Sequence, residues 1–305
     1  MHDIRFIRDN PEVFDAGLAR RGLEPLADAL IALDEQRRAA TTAVQMAQSR
    51  RNEASKLIGA AMAKGDREGA EAIKAEVAAL KDQMPALEAR AEELAAQLKE
   101  MLEIIPNLPA ADVPDGADEA DNRVEKEWGE KRAFAFTPKE HADIAPALGM
   151  DFETGARLSG ARFTFLRGGM ARLHRALGQF MLDVQTGEHS YAECHPPVLV
   201  GDDAMYGTDK LPKFAEDSFN TTNGRWLIPT SEVSLTASVM GELLEEAALP
   251  MRLTALTLCF RSEAGAAGRD TRGFIRQHRF EKCELVSIVR PEDSEAEHQR
   301  MVRAA

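Results

Sequence analysis

The chain has 305 residues, of which 44% are hydrophobic and 29% are charged, and its formal net charge is -13. These values are typical of a globular protein of about two domains, and they exclude a chain that binds nucleic acid over its whole surface, although local basic patches remain compatible with them. No apolar run approaches the length of a bilayer span, and the three cysteines lack metal-site or disulfide spacing, so we expect a cytoplasmic protein without a membrane partner.

The N-terminal part is dominated by a heptad pattern. Residues 1–25 are interpreted as a short α/β lead-in with a helix start at Asn10-Pro11-Glu12. Two apolar seams with steps of four and three residues then flank the Gly-containing break at 64–69, which predicts an antiparallel helical hairpin with about 35 residues per helix and a length of about 50 Å. Pro85 should kink the second helix. The predicted seam positions are Leu26, Leu30, Leu33, Arg37, Ala40, Val44, Ala47, Arg51, Ala54, Ile58, Ile73, Val77, Leu80, Met84, Leu87, Ala91, Leu94, Leu98, Met101 and Ile105.

Two functions are open to such an arm. A coiled coil commonly mediates protein–protein contact or acts as a spacer, and the pattern alone favours this interpretation. The alternative is a nucleic-acid arm, because the distal stretch from Arg37 to Arg67 contains only Glu53 and Asp66 as acids. The same stretch contains seven basic residues, which are Arg37, Arg38, Arg50, Arg51, Lys56, Lys64 and Arg67. Without interleaved aromatic residues, such a surface would follow backbone and shape rather than stack on bases.

The segment after the arm predicts a linker and a second domain. Prolines and clustered acids over 106–124 cannot continue a helix. We therefore predict domains at 1–105 and 125–305. In the second domain, the pattern predicts a helix over Met170–Thr186, a strand over Cys194–Val200, and a short strand over Trp226–Pro229. That strand leads into Thr230-Ser231-Glu232 and a helix over Val233–Leu244, so the Thr-Ser-Glu sequence has a simple interpretation as a helix cap.

The stretch Cys259–Val286 is CFRSEAGAAGRDTRGFIRQHRFEKCELV and is the most informative part of the chain. It predicts two strands joined by a Gly- and Arg-rich loop over 264–273. Alternate side chains of a strand share a face, so Arg261 and Glu263 should point the same way. The same rule predicts one face for the second arm, formed by Arg276, His278, Phe280, Lys282 and Glu284.

That face has the residue types of a site for a nucleotide and an amine. A guanidinium can bind phosphate through two parallel hydrogen bonds, an aromatic ring can stack on a purine, and a carboxylate can hold an ammonium. The alternative is that these charges form the solvated side of an antiparallel hairpin, with surface ion pairs that contribute little to stability. The loop favours function, because loops on rigid scaffolds often carry binding residues. Cys283 should face away from this side, and His195 and His278 are interpreted as structural.

Taken together, these motifs resemble bacterial seryl-tRNA synthetase, a class II aminoacyl-tRNA synthetase, over the whole chain. FRSEAGAAGRDTRG with IRQHRFEKCELV is similar to motif 2 of that class. WLIPTSEVSLT resembles the serine-binding loop, HSYAECHPPVLV resembles the motif 1 that builds the dimer interface, and the arm followed by IPNLP and DEADN is similar to the tRNA arm. The resemblance implies an α+β fold with an N-terminal long antiparallel helical hairpin followed by a class II synthetase-type antiparallel sheet domain with flanking helices.

The resemblance also implies an ATP-dependent serine–tRNA ligase that is a cytoplasmic homodimer. Its substrates would be L-serine, ATP with Mg²⁺, and serine tRNA, and the sequence does not separate selenocysteine tRNA from the latter. Arg261 would hold the α-phosphate together with Ser262 and Glu263, and Phe280 would stack on adenine. Arg276 would lie between the serine carboxylate and the phosphate, while the serine pocket would be lined by Thr230, Ser231, Glu232 and, at the amino group, Glu284. No metal ligands are assigned.

The chain departs from the family in one respect. It stops at Ala305, shortly after motif 2, whereas the family continues into motif 3. We therefore expect a C-terminally incomplete catalytic domain with little or no ligase activity of its own. Two other hypotheses stay open. One is a non-catalytic relative that binds tRNA or dimerises, and the other is a relative that charges a carrier protein, although such relatives lack the long arm.

Overall fold

The structure, a computed structural model, describes residues 2–263 and 272–305. It divides into two compact units, Met1–Gly129 and Glu130–Ala305. The domain boundaries placed above at residues 105 and 124 remain predictions. Most of the loop that we expect to order around ATP, residues 264–271, lies outside the described residues.

The first unit is helical. It contains α1 (Ile4–Asp9), α2 (Pro11–Ala19), α3 (Ala27–Ala63) and α4 (Arg67–Glu103). The expected α/β character of residues 1–25 is wrong, because the described lead-in consists of two helices. Asp3 caps the first of them by accepting a hydrogen bond from the Arg5 amide. Pro11 occupies the first turn of α2, as its fixed φ favours, so the predicted helix start is confirmed.

The predicted helical hairpin is confirmed. Helices α3 and α4 have 37 residues each, which corresponds to about 55 Å per helix. They run antiparallel, because Leu30 near the start of α3 packs with Leu98 and Leu102 near the end of α4. All twenty predicted seam positions are buried or half-buried. Helix α4 continues through Pro85 without interruption.

The base of the hairpin encloses a fully buried carboxylate, Asp34. Its oxygens lie 2.9 Å from Arg8 Nη1, 2.6 Å from Arg37 Nη2 and 3.1 Å from Arg38 Nε. Burial acts to raise the pKa of the Asp34 carboxyl, but the hydrogen bonds and positive charges of Arg37 and Arg8 outweigh it and leave the pKa below its usual range. This cluster ties α1 to the first turns of α3.

The segment after α4 is irregular, as the linker prediction requires, and its first part is held on α2. Arg20 donates to the Ala110 carbonyl at 2.9 Å and pairs with Asp115 at 2.7 Å. Leu108 lies so close to Gly17 that a Cβ there would be 2.8 Å from a Leu108 methyl carbon. The glycine therefore allows the segment to pack on the helix.

The second unit combines short helices with small sheets, and the predicted α+β class is confirmed. Its helices are α5 (His141–Ile144), α6 (Phe152–Ser159), α7 (Gly168–Gly187), α8 (Asp202–Gly207), α9 (Glu232–Ala237) and α10 (Ser294–Ala304). Its strands are β1 (Met150–Asp151), β2 (Phe165–Leu166), β3 (Ala192–Glu193), β4 (Leu199–Val200), β5 (Trp226–Leu227), β6 (Met251–Phe260) and β7 (Arg279–Ile288). Two pairs, β1–β2 and β4–β5, are antiparallel, and the third sheet has the order β3–β6–β7.

Three expected elements are shorter than the sequence predicts, and one of them is β5, which covers only the first two residues of the expected strand 226–229. Strand β4 covers only the last two residues of the expected strand 194–200, because Pro196 and Pro197 lack the amide protons of a ladder. Helix α9 ends at Ala237 and not at residue 244, and the chain then turns through Gly241 at a φ of 75°. The helix predicted over 170–186 is confirmed as α7. Within the described residues, no helix is long and apolar enough to span a membrane.

The buried Asp34 cluster leads to the first prediction. Asp34→Asn should lower the free energy of unfolding by about 3 kcal/mol at neutral pH, because the three guanidiniums lose the carboxylate with which all of them pair. The pKa of Asp34 is lowered in the folded protein, so its contribution is fully present above the unfolded carboxyl value of about 3.9 and disappears as the pH falls below it. Urea unfolding followed by circular dichroism at several pH values measures both effects.

The matched control is Asp82→Asn on the exposed side of α4, which should change stability by less than about 0.5 kcal/mol. An Asp34→Asn variant as stable as the wild type at pH 7 would show that the cluster does not stabilise the hairpin base.

Candidate active site

The site is built on the antiparallel pair β6–β7. Ten residues of each strand pair in register, from Met251 with Ile288 to Phe260 with Arg279. Helix α7 covers one face of this ribbon. There, His174 Nε2 lies 3.1 Å from a Glu281 oxygen, and a Cβ on Gly178 would lie 3.0 Å from Leu256. By alternation, Phe280, Lys282 and Glu284 belong to the opposite face.

The opposite face borders a cavity of about 500 Å³. Four cations and three carboxylates contribute to its wall. The lining residues are Lys210, Phe214, Asp217, Ser218, Pro229, Thr230, Glu232, Arg261, Glu263, Arg276 and Lys282. A concave site with converging charges of both signs is suited to a polar ligand that carries both anionic and cationic groups.

Arg261 enters the cavity just beyond the end of β6. Its amide donates to the His278 carbonyl at 3.0 Å, and its Nε donates to the Pro229 carbonyl at 3.3 Å. The guanidinium carbon lies 5.3 Å from the centroid of the Phe280 ring, which is a cation–π distance. The Phe280 ring also lines a second cavity of about 290 Å³. These two predicted residues therefore lie side by side.

Glu263 and Arg276 pair across the ribbon. The carboxylate of Glu263 lies 3.0 Å from Arg276 Nη1, and Glu263 has a φ of 52°, which is uncommon for a residue with a side chain. Neither residue lies in a strand, because β6 ends at Phe260 and β7 begins at Arg279. Both nevertheless line the cavity. The prediction that they face the same site holds, but irregular backbone and not strand alternation places them there.

The alternation predicted His278 on the same face as Phe280, and this remains a prediction. His278 precedes the first residue of β7. Its ring lies 5.2 Å from the ring of Phe163 and 6.1 Å from that of Phe219, and its Nδ1 is 2.9 Å from the Arg261 carbonyl. These contacts are structural, as the sequence analysis expected for this histidine.

The Thr-Ser-Glu sequence combines a helix start with a place in the cavity. Helix α9 begins at Glu232, and the Glu232 amide donates to Thr230 Oγ1 at 3.2 Å, whereas the N-cap residue Ser231 makes no side-chain cap hydrogen bond. Thr230 and Glu232 also line the cavity. Ser231 does not line it: the side chain is fully buried, and its hydroxyl has no hydrogen-bond partner among the described residues.

Two carboxylates of the site already hold lysine ammonium groups. Glu284 accepts a hydrogen bond from the Thr230 hydroxyl, and its Oε2 lies 2.5 Å from Lys282 Nζ. Glu232 lies 3.4 Å from Lys210 Nζ. Carboxylates in this arrangement can bind a ligand ammonium in place of a lysine.

Ser262 is held at the edge of the site by backbone contacts. Its amide donates to the Asp217 carbonyl at 2.9 Å, and its hydroxyl donates to the Glu216 carbonyl at 2.5 Å. The hydroxyl is thus engaged with the segment after α8, and Ser262 does not belong to the cavity lining.

Sequence reasoning assigned no role to the segment 208–219, which supplies four lining residues. These are Lys210, Phe214, Asp217 and Ser218. Asp209 has a left-handed φ of 61° at the turn into this segment, and no sequence signal reveals that conformation. Lys282 belonged to the predicted face but was likewise given no role, although strand parity could have identified it.

The cysteines offer no nucleophile to this site. Burial raises the pKa of the Cys259 and Cys283 thiols, so both are protonated at neutral pH. Cys283 lies on the α7 face of β7, 3.7 Å from Thr254 Oγ1, as the strand parity predicted. Across residues 2–263 and 272–305, no three or more His, Cys, Asp or Glu side chains gather into a metal site.

Comparisons with known proteins cover both units. The family model described as seryl-tRNA synthetase N-terminal domain matches residues 1–109. The model described as tRNA synthetase class II core domain (G, H, P, S and T) matches residues 218–305. The first match contains the helical hairpin, and the second contains most of the cavity lining.

Curated relatives extend the match to the whole chain. The serine–tRNA ligase of Erythrobacter litoralis is 75% identical over 305 residues, which are all of this chain and 72% of the relative. The serine–tRNA ligase of Novosphingobium aromaticivorans is 68% identical with the same coverage. Among solved structures, seryl-tRNA synthetase from Pyrococcus horikoshii complexed with ATP has 30% identity and a TM-score of 0.86, over 99% of this chain and 73% of that one.

Proposed function

The chain belongs to the seryl-tRNA synthetase family, and on that premise we propose that it serves the ATP-dependent activation of L-serine and the transfer of the seryl group to serine tRNA. The observation that carries the proposal is the cavity beside β7. Its wall contains the Arg261 and Arg276 guanidiniums and the Glu232 carboxylate, which pairs with Lys210. Next to these lining residues are the Phe280 ring, 5.3 Å from the Arg261 guanidinium carbon, and the Glu284 carboxylate, which pairs with Lys282. A ligand with a phosphate, a purine and an amine requires those partners.

The ATP part of the site follows from Arg261 and its neighbours. We propose that the Arg261 guanidinium binds the α-phosphate and that adenine stacks on Phe280. Its ring centroid lies 5.3 Å from the Arg261 guanidinium carbon. Glu263 would act toward the adenine end and Ser262 would complete the segment, which its two hydrogen bonds to Glu216 and Asp217 hold in place.

The serine part follows from the carboxylates. We propose that Glu284 and Glu232 bind the ammonium of serine, with the Thr230 hydroxyl holding Glu284 in position. The lysine ammonium on each carboxylate supports this assignment, because the substrate amine has the same charge and hydrogen-bond donors. Ser231 would contribute through its backbone at the start of α9. Arg276, in the same cavity, would contact both the serine carboxylate and the phosphate.

The chemistry needs positioning and charge stabilisation and no nucleophile from the chain. An oxygen of the serine carboxylate attacks the α-phosphorus, a P–O bond forms, and pyrophosphate leaves with the electrons of the broken bond. A hydroxyl of the tRNA then takes the acyl group, and AMP leaves. Arg261 and Arg276 would stabilise the charge that develops on the phosphate oxygens, and the cavity would hold the two reactants in line.

Magnesium is part of the proposal through the nucleotide. The described residues form no metal cage of their own. Mg²⁺ is commonly held by one or two carboxylates together with substrate phosphates, and Glu263 is the carboxylate nearest to the proposed phosphate-binding arginines. When bound, the ion would neutralise phosphate charge.

The helical hairpin is proposed to bind serine tRNA. Arg37 and Arg38 are paired with Asp34, and Arg50 is paired with Glu53 and Glu76. The other basic residues of the distal stretch have no carboxylate within 4 Å among the described residues. These are Arg51, Lys56, Lys64 and Arg67. Unpaired cations on a shaft without aromatic residues suit an RNA backbone, and they do not separate serine tRNA from selenocysteine tRNA.

We also propose a cytoplasmic homodimer. Helix α7 exposes an apolar stripe with helical spacing, formed by Leu173, Leu177, Phe180 and Met181. An apolar stripe of this kind on an otherwise charged protein indicates a protein interface. A second copy of the chain is the occupant that the family resemblance implies.

The phosphate-binding role predicts a large effect of one substitution. Arg261→Ala should lower the rate of ATP–pyrophosphate exchange at least about a hundredfold, because a donor to the developing charge is lost. The measurement uses a chimaera in which this chain is continued by the remaining segment of the Erythrobacter litoralis ligase. Arg279→Ala, at the start of β7 and on its α7 face, is the control and should keep most of the activity. Near-normal exchange in Arg261→Ala would refute the assignment.

The ammonium-binding role predicts a substrate-specific effect. Glu284→Gln should raise the KM for serine at least about tenfold in the same chimaera, because a charge-assisted hydrogen bond is lost, while the KM for ATP changes little. Glu281→Gln is the matched control, since Glu281 lies three residues earlier in β7 and its carboxylate is on the other face, beside His174. An equal rise in both KM values would contradict a specific contact with the amine.

The RNA-binding role predicts a charge effect that depends on position. The triple variant Lys56→Ala, Lys64→Ala and Arg67→Ala should lower the affinity of the chain for serine tRNA at least about tenfold. It should also reduce the slope of log affinity against log salt by about 2 to 3. The control triple Lys74→Ala, Arg90→Ala and Lys99→Ala removes the same charge from cations that are already paired on α4. Equal losses in both triples would show that only net charge matters.

A further inference from the structure

A short helix far away in the sequence holds the stretch just after the undescribed loop. Arg272 Nη1 lies 2.5 Å from a Glu140 oxygen, and Arg272 also pairs with Asp143. The Phe274 amide donates to His141 Nε2 at 2.8 Å. Helix α5 and the residue before it thus contact two residues of the stretch through two ion pairs and one hydrogen bond.

Gly273, between those two residues, fits the histidine in two ways. Its φ is 79°, in the left-handed region that favours glycine. A Cβ on Gly273 would lie 2.2 Å from His141 Nε2, so the imidazole occupies the space that a side chain would need. Both the backbone conformation and the close approach therefore require glycine at this position.

The other end of the same stretch is held by separate contacts. Gln277 is buried, its Nε2 donates to the Gly273 carbonyl at 3.1 Å, and its Oε1 accepts from Thr164 Oγ1 at 2.7 Å. The His278 amide donates to the Arg162 carbonyl at 3.0 Å. Arg276 lies between these contacts and places its guanidinium in the cavity.

We propose that His141 is a positioning residue that fixes Gly273 and Phe274 and thereby keeps Arg276 in the cavity. The stretch 272–278 precedes β7, and its order comes from the hydrogen bond between the Arg261 amide and the His278 carbonyl, the ion pair of Arg276 with Glu263 and the contacts of His141. Without the His141 hydrogen bond, the backbone before Arg276 loses part of this order and must regain it when the substrate binds, at the expense of reaction rate. His141 touches no proposed substrate atom. The expected change in reaction rate rests on the proposed function, whereas the expected change in the order of the stretch 272–278 does not.

Amide hydrogen exchange tests the structural consequence in the 305-residue chain. The Phe274 amide should be protected in the wild type, and His141→Ala should speed its exchange at least tenfold, while amides of β6 and β7 exchange at unchanged rates. His141→Gln supplies an oxygen acceptor at a similar distance from the backbone and should restore most of the protection. His298→Ala, an exposed histidine of α10, is the control. Unchanged protection of Phe274 in a folded His141→Ala variant would overturn the proposal.

Kinetics in the chimaera test the functional consequence. His141→Ala should lower the kcat of ATP–pyrophosphate exchange about tenfold with little change in the KM for serine, and His141→Gln should recover it. A kcat equal to that of the wild type in His141→Ala would overturn the positioning role. If the proposed function were wrong, the wild-type chimaera itself would show no serine-dependent exchange, while the change in Phe274 protection would still occur.

Discussion

The register of β6 against β7 is the constraint on which the site depends. Ten consecutive pairs fix it, and α7 covers one face of the ribbon, with Gly178 allowing close contact to Leu256. A shift by one residue would turn Phe280 and Glu284 toward α7 and expose the opposite set of side chains. The same apolar contacts that stabilise the sheet therefore decide which side chains line the cavity. Packing and binding are determined by one choice of register.

Electrostatics within the cavity follows from that choice. Glu284 pairs with Lys282 on its own strand, Glu232 pairs with Lys210, and Glu263 pairs with Arg276. These three carboxylates are compensated before any ligand enters, which limits the free-energy cost of keeping several charges in one half-buried site. An incoming ammonium would exchange with a lysine, and an incoming phosphate would compete with a carboxylate for a guanidinium. Binding of a zwitterion and a nucleotide thus rearranges existing ion pairs and does not require charges to be buried anew.

The parts of the structure that follow a regular period were predictable, and the parts held by distant contacts were not. Every predicted seam position is buried or half-buried, because a helix repeats its environment every three to four residues, but the seam did not include the buried residues Ala27, Asp34, Ala70 and Leu102. Strand parity placed Phe280 and Glu284 correctly and excluded Cys283 for the same reason. His278 was predicted to lie within the second strand, but β7 begins one residue later, at Arg279. No local pattern encodes the place of Lys210, which depends on irregular backbone. The same holds for the contacts of Arg8 with Asp34 and of His141 with Phe274, because these residues are 26 and 133 positions apart in the sequence.

The two ends of the helical hairpin are stabilised differently, and this difference suits an RNA-binding role. At the base, Ile7, Phe14, Leu18 and Leu30 are fully buried around the hairpin, and Asp34 is held by three guanidiniums. Toward the tip, the seam buries mainly alanine, so fewer apolar contacts resist local opening. The unpaired cations lie in this distal half. A firmly held base can direct the arm, while a loosely packed tip can adjust to the shape of a nucleic acid, and binding energy from phosphate contacts would supply the order that the sparse apolar seam does not.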